Sequence, residues 1–208
     1  MFRMYGIKAA RRKMTMKKGI DISYCQKGFD LGRAKAEGVE FVIIRAGVST
    51  RMDTEFEAHT AGAINAGLPY GFYWYSRAFS TTDARNEAIA CLKTIKPYAP
   101  AYPIYYDMEE KDQIDRLNNP TRTAIIATFC DTVREAGYTA GVYLDTEWME
   151  NHVDKTQIIG KYEVWLTDWT KDPNKLSRHD YGQRMLQWGL DTVCGMQVDG
   201  NVCYFDYI

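Results

Sequence analysis

The feature that most narrows the fold is a unit met three times along the chain: a helix-patterned segment, a glycine, then a short apolar strand. In the first, Leu31 and Ala34 share a helical face, Gly38 ends the segment, and FVIIRAG follows at residues 41–47. In the second, residues 54–66 run to Gly67 and Pro69 before the aromatic strand YGFYWYS at 70–76. In the third, Asn119 reads as an N-cap with Pro120 at the first helical position. Ile125, Phe129, Thr132 and Ala136 form its inward stripe ahead of Gly137 and GVYL. Each glycine supplies the left-handed turn that ends a helix. A further helix is expected over residues 82–96, stopped by Pro97. Strands alternating with helices in this way imply right-handed crossovers and a parallel sheet, either closed into a barrel or open. Beyond about residue 160 the pattern changes. VWLTDW, RMLQW and VCYFDY are strand-like runs joined by links too short for full crossover helices, so the last third should be helix-poor and antiparallel or irregular.

One strand of this series carries acids at its tip. YPIYYDMEE, residues 102–110, is β-branched and aromatic up to Asp107 and Glu109, and alternation places those two side chains on one face with Met108 on the other. Two carboxyls held so close cannot both ionise freely, so one keeps its proton toward neutral pH, as a general acid must. A solvated acidic loop starting one residue early would also fit an isolated D-x-E. More acids stand at other strand ends, namely Asp21 in the first strand, Asp168 after VWLT, and Asp199 shortly before the final strand. That is where active groups collect in α/β architectures.

Charge and cysteine usage exclude several classes of function. Residues 1–18 hold seven basic side chains and no acid, and against a net charge of −1 this leaves residues 19–208 at −8. A body that acidic is a poor partner for nucleic acid. The basic leader lacks the continuous apolar core of a secretory signal, and no stretch approaches membrane-spanning length. It reads as a disordered extension or as an electrostatic arm for an anionic surface. Five cysteines without C-x-x-C spacing argue against zinc and against a complete disulfide framework, with a Cys194–Cys203 bridge as a minority alternative. His59, His152 and His179 do not close any apolar strand, which disfavours a histidine-centred metal or nucleophile site.

Taken together and in order, GIDIS with Gln26, FVIIRAG, GLPYGFYWYS, YPIYYDMEE, GVYLDTEW and the closing VDGNVCYFDY resemble the lysozymes of glycoside hydrolase family 25, from about Gly19 to Tyr207. The resemblance implies an α/β fold: an irregular TIM-like barrel of about eight strands and five helices, forming a single catalytic domain over residues 19–208. It implies cleavage of the β-1,4 bond between N-acetylmuramic acid and N-acetylglucosamine, with Glu109 as general acid, Asp107 beside it, and Asp21 and Asp199 as the other pocket carboxylates. Tyr75, Tyr143 and Trp165 are sugar-contacting candidates that could equally be barrel core. Asp168 and Gln187 join them as substrate-binding candidates, and Arg45 is a weaker one. Asp168, Trp169 and Trp188 depart from the family pattern, so subsite detail is expected to differ. No cofactor or metal is implied. The expected partner is the peptidoglycan glycan strand, met by a monomer that is made in the cytoplasm and reaches the wall by lysis, a holin or non-standard export. Because Asp107 and Glu109 come from one strand, substrate assistance by the acetamido group is the expected mechanism. A magnesium-dependent phosphoesterase and a silent carbohydrate-binding module are the competing readings.

Overall fold

The computed structural model describes residues 16–208. Residues 1–15, most of the basic leader, lie outside the described residues. In chain order the elements are β1 (Lys17–Ile22), α1 (Leu31–Ala36), β2 (Phe41–Val48), β3 (Arg51–Met52), α2 (Phe56–Ala66), β4 (Tyr70–Tyr75), α3 (Thr81–Ile95) and β5 (Ile104–Asp107). There follow α4 (Lys111–Arg116), α5 (Asn119–Glu135), β6 (Ala140–Asp145), β7 (Glu163–Thr167), β8 (Met185–Val193) and β9 (Met196–Cys203). Eight strands close a barrel in the order β1-β2-β4-β5-β6-β7-β8-β9, and β3 is a short antiparallel arm on β2. Neighbours from β1 round to β8 run parallel. β9 is antiparallel to both β8 and β1 and closes the ring.

The repeated unit behaves as its glycines require: Gly38, Gly67 and Gly137 have φ of 99°, 58° and 91°. Local details differ from the sequence reading. β1 takes in Lys17 and Lys18, assigned above to the leader, because their backbones pair with Cys203 and Val202. The cap of α5 is Asn118 rather than Asn119: its side chain accepts the N–H of Thr121, the donor three residues on, while Pro120 has no N–H to offer. The buried face of that helix is Ile125, Ile126, Phe129, Cys130 and Val133. Thr132 and Ala136 are turned to its flank by the 3.6-residue period. The loss of helix after β6 is as expected, but β7 and β8 still pair in parallel, through a long irregular loop instead of a helix. The described cysteines are all free, which removes the Cys194–Cys203 alternative.

Two cores result. Between barrel and helices lie Ile44, Phe72, Trp74, Tyr106 and Phe129, the last two stacked 3.9 Å apart. Inside the barrel lie Phe41, Ile43, Tyr73, Tyr105, Tyr143, Trp165 and Met185. Rings this large fit because glycine faces them. A Cβ on Gly19 would lie 2.3 Å from the Phe41 ring, and one on Gly141 would lie 2.6 Å from both the Tyr105 ring and the Glu163 carbonyl. The inner layer fills the lower barrel and leaves the upper end open. Behind β5, α3 buries Glu87, whose carboxylate accepts the Tyr106 O–H (2.7 Å) and the Arg77 N–H (2.9 Å). Burial pushes its carboxyl from 4.5 up to about 7.

Gly141→Ala is expected to destabilise the fold by about 1–3 kcal/mol through overpacking, read as a lower urea midpoint with unchanged slope. Glu87 releases its proton near 4.5 when unfolded and near 7 when folded, so the folded state binds more protons between those values and stability falls as pH rises through that window. Glu87→Gln should flatten this decline, which denaturant unfolding at a series of pH values will measure against the parent protein.

Candidate active site

The upper end of the barrel holds a cavity of about 620 Å³, and its walls come from all eight barrel strands and the segments that follow them. The register explains its floor. Tyr75, Asp107, Tyr143 and Trp165 are successive Cα partners across β4, β5, β6 and β7, so all four point to the same side of the sheet, inward. On the opposite wall Asp21 of β1 pairs directly with Asp199 of β9. Like charges placed opposite each other in an antiparallel pair destabilise it. The sequence reading put Asp199 before the last strand, whereas it lies within β9; pairing extends further back because the β8–β9 hairpin rises beyond the barrel rim.

Donors reach Asp21 from two amides. Gln187 Nε2 and Asn201 Nδ2 donate to its Oδ2 at 3.0 and 2.7 Å. Each amide is oriented in turn: Tyr143 and Thr167 hydroxyls donate to Gln187 Oε1, both at 2.9 Å, and Trp165 Nε1 donates to Asn201 Oδ1 at 2.8 Å. Even so, Asp21 is held well above the usual carboxylate range, by burial first and the Asp199 charge second. Asp107 is raised well above it too, by burial and then by Glu109 and Asp21. Its Oδ1 is buried with no hydrogen-bond partner, an unusual condition for a carboxylate in a folded protein.

Glu109 lies two residues past Asp107, beyond the end of β5, and faces the same cavity, while Met108 turns into the outer core. Glu109 keeps solvent contact at the mouth, yet protein atoms crowd it. That partial desolvation, followed by the charges of Asp145, Glu110 and Asp199, raises its pKa. The Tyr75 hydroxyl donates to Glu110 at 2.5 Å, and Arg77 pairs with the same carboxylate at 2.9 Å. Among the described residues Arg45 is the only basic side chain in the lining, but its Nε is committed to Asp53 Oδ2 at 2.6 Å. The arrangement therefore raises the pKa of several carboxyls above the usual range and presents an unsatisfied acceptor to a ligand donor.

All the residues singled out from the sequence, Asp21, Arg45, Tyr75, Asp107, Glu109, Tyr143, Trp165, Asp168, Gln187 and Asp199, line this cavity. Tyr143 and Trp165 are packed core beneath and cavity floor above. Trp188 stays out of the lining and packs on Gly200. Sequence reasoning missed Asn201, Asp145, Thr167 and Tyr73. Asn201 had a usable signal, since in VDGNV it falls two residues after Asp199 and so shares its face. Among the described residues no three His, Cys, Asp or Glu side chains are grouped so as to hold a metal ion.

Comparison with known proteins is consistent across sequence and fold. The sequence profile of glycosyl hydrolases family 25 matches residues 20–194. The autolytic lysozyme of Clostridium acetobutylicum is 30% identical over 155 residues, covering 73% of this chain and 45% of that protein. The modular autolysin LytC of Streptococcus pneumoniae, also solved in complex with a synthetic peptidoglycan ligand, superposes with TM-score 0.78 in that complex at 28% identity, over 91% of this chain and 47% of its own. A family 25 lysozyme from Aspergillus fumigatus shares the fold with TM-score 0.75 at 23% identity, covering 92% and 95% of the two chains. The chain thus spans about half the length of the autolytic lysozyme and of LytC.

Asp145 is the charge that most raises Glu109, and its Oδ1 accepts the Trp148 N–H, a bond that an amide oxygen keeps. Asp145→Asn should therefore lower the Glu109 pKa with the fold intact, observed as a downward shift of its carboxyl titration by carbon-13 NMR.

Proposed function

The chain belongs to glycosyl hydrolases family 25, and on that premise we propose that it is a peptidoglycan hydrolase that cuts the β-1,4 bond between N-acetylmuramic acid and N-acetylglucosamine. The observation that carries this reading is the buried, unpartnered Oδ1 of Asp107, two residues from a protonatable Glu109 at the mouth of the same cavity. The acetamido group of an N-acetylated sugar brings the N–H that this oxygen lacks.

In the proposed mechanism Glu109 protonates the glycosidic oxygen and the aglycone leaves. The acetamido carbonyl oxygen of the N-acetylmuramic acid attacks its own anomeric carbon from the opposite face, closing a cyclic oxazolinium. Asp107 accepts the acetamido N–H and offsets the positive charge that develops on the ring. Glu109, now ionised, removes a proton from water as that water opens the ring. The raised pKa of Glu109 suits both halves of this cycle, and Asp21 and Asp199 hold the charge and water of the opposite wall. Asp107 and Glu109 stand on one side of the sugar, which favours an intramolecular nucleophile over a second enzyme carboxylate on the far face. Action on the cell wall follows from the substrate, and no helix among the described residues is long and apolar enough to cross a membrane.

Purified protein should clear a peptidoglycan suspension and release fragments whose reducing end is N-acetylmuramic acid, identified by mass spectrometry after borohydride reduction. A reducing N-acetylglucosamine would defeat the bond assignment. Proton NMR of the first product should show retention at the anomeric carbon, and inversion would rule out the acetamido route. Glu109→Gln should lower kcat by roughly 10²–10⁴-fold with an unchanged unfolding midpoint, since the amide cannot donate the proton.

A further inference from the structure

Of the five tryptophans, Trp74, Trp148, Trp165 and Trp188 are buried, while Trp169 is 53% exposed and lines the cavity. Its backbone is nevertheless pinned on both sides: Asp168 N–H donates to the Gln187 carbonyl (3.2 Å), Lys171 N–H donates to the Trp188 carbonyl (2.9 Å), and the Asp168 carboxylate accepts the Ser177 hydroxyl (2.8 Å). A large ring carried on a pinned backbone at the cavity mouth yet left in water points to a partner that covers it.

A second such ring is Tyr24, also 53% exposed. Its N–H donates to Asp53 Oδ2 (3.2 Å), and the Arg45 guanidinium lies 4.6 Å from its ring centre, tying it to the rim above β2. Trp169 stands two residues past the end of β7. In the cyclic strand order β2 and β7 are four steps apart in either direction, so the two rings occupy opposite rims. β5 and β9, which carry Asp107 with Glu109 and Asp199 respectively, are likewise four steps apart and define the crossing diameter.

Resting on the hydrolase reading above, we propose that the glycan strand crosses the barrel mouth from the Tyr24 rim to the Trp169 rim, its end sugars stacked on these two rings and the scissile bond between Glu109 and Asp199. Eight strands about 4.8 Å apart and tilted near 36° give a mouth about 15 Å across, longer than one sugar ring. Only an oligosaccharide reaches both rims. Tyr24 and Trp169 thereby set chain-length preference and leave bond cleavage to the carboxylates.

Steady-state hydrolysis of long glycan strands and of progressively shorter oligosaccharides will test this with Tyr24→Ala, Trp169→Ala and the aromatic replacements Tyr24→Phe and Trp169→Phe. Each alanine variant should raise KM on long strands about tenfold with little change in kcat. That penalty should shrink on oligosaccharides too short to reach the altered rim, and phenylalanine should restore most of the affinity. An unchanged KM on long strands, or a loss independent of chain length, overturns the proposal. A binding readout separates it from the hydrolase reading: in the Glu109→Gln protein, soluble glycan fragments should shift tryptophan emission, and Glu109→Gln with Trp169→Phe should remove most of the shift, leaving at most the share of Trp165 in the cavity floor. A shift without hydrolysis by the parent protein would sink the parent reading and keep the Trp169 subsite, whereas hydrolysis with a shift undiminished by Trp169→Phe would do the reverse.

Discussion

The first and last described strands, β1 and β9, must pair for the proposed chemistry to exist. β9 lies antiparallel between β8 and β1, and that closure sets Asp21 against Asp199 and brings Asn201 to Asp21. Neither acid would be desolvated on an open sheet edge. Closure buries Asp21, and its charge then has to be met by protein donors because water has been excluded. The amides of Gln187 and Asn201 meet it in part, and the remaining mismatch appears as a raised pKa.

The aromatic floor and the acidic mouth are one construction. Tyr143 and Trp165 pack inside the barrel with their carbon frames and use their polar edges to orient the two amides that reach Asp21. The packing that stabilises the lower barrel thus also sets donor directions at the site. Counter-charge is weak in this arrangement: the Arg45 guanidinium in the lining is paired with Asp53, and its pull on Asp107 is smaller than the opposing effects of burial, Glu109 and Asp21. Uncompensated carboxylates cost stability, and folds tolerate such local conflicts where function needs them. A ligand carrying N–H and hydroxyl donors relieves the conflict.

Much of the barrel was legible because its signals are local. Helix stops at Gly38, Gly67 and Gly137 are a property of single residues in left-handed backbone, and the shared face of Asp107 and Glu109 follows from strand alternation alone. Where the reading slipped, a neighbour in space had overruled a neighbour in sequence. Lys17 and Lys18 became strand because Val202 and Cys203 offered partners, and Asp199 moved into a strand because β8 extends alongside it. Asp145 escaped notice because nothing in GVYLDTEW indicates that its carboxylate acts on Glu109 across the mouth.

By itself, then, the chain's order of residues determined the class of fold, the family resemblance and the acids that line the cavity, since periodicity, turn chemistry and motif order are written along the backbone. Which acids have their pKa raised was decided only by tertiary structure, as was the orphan status of the Asp107 oxygen and the placing of Tyr24 and Trp169 on facing rims. The physical reason is that desolvation, like-charge proximity and hydrogen-bond supply depend on distances between residues far apart in sequence, such as Asp21 and Asn201, and those distances are set by barrel closure.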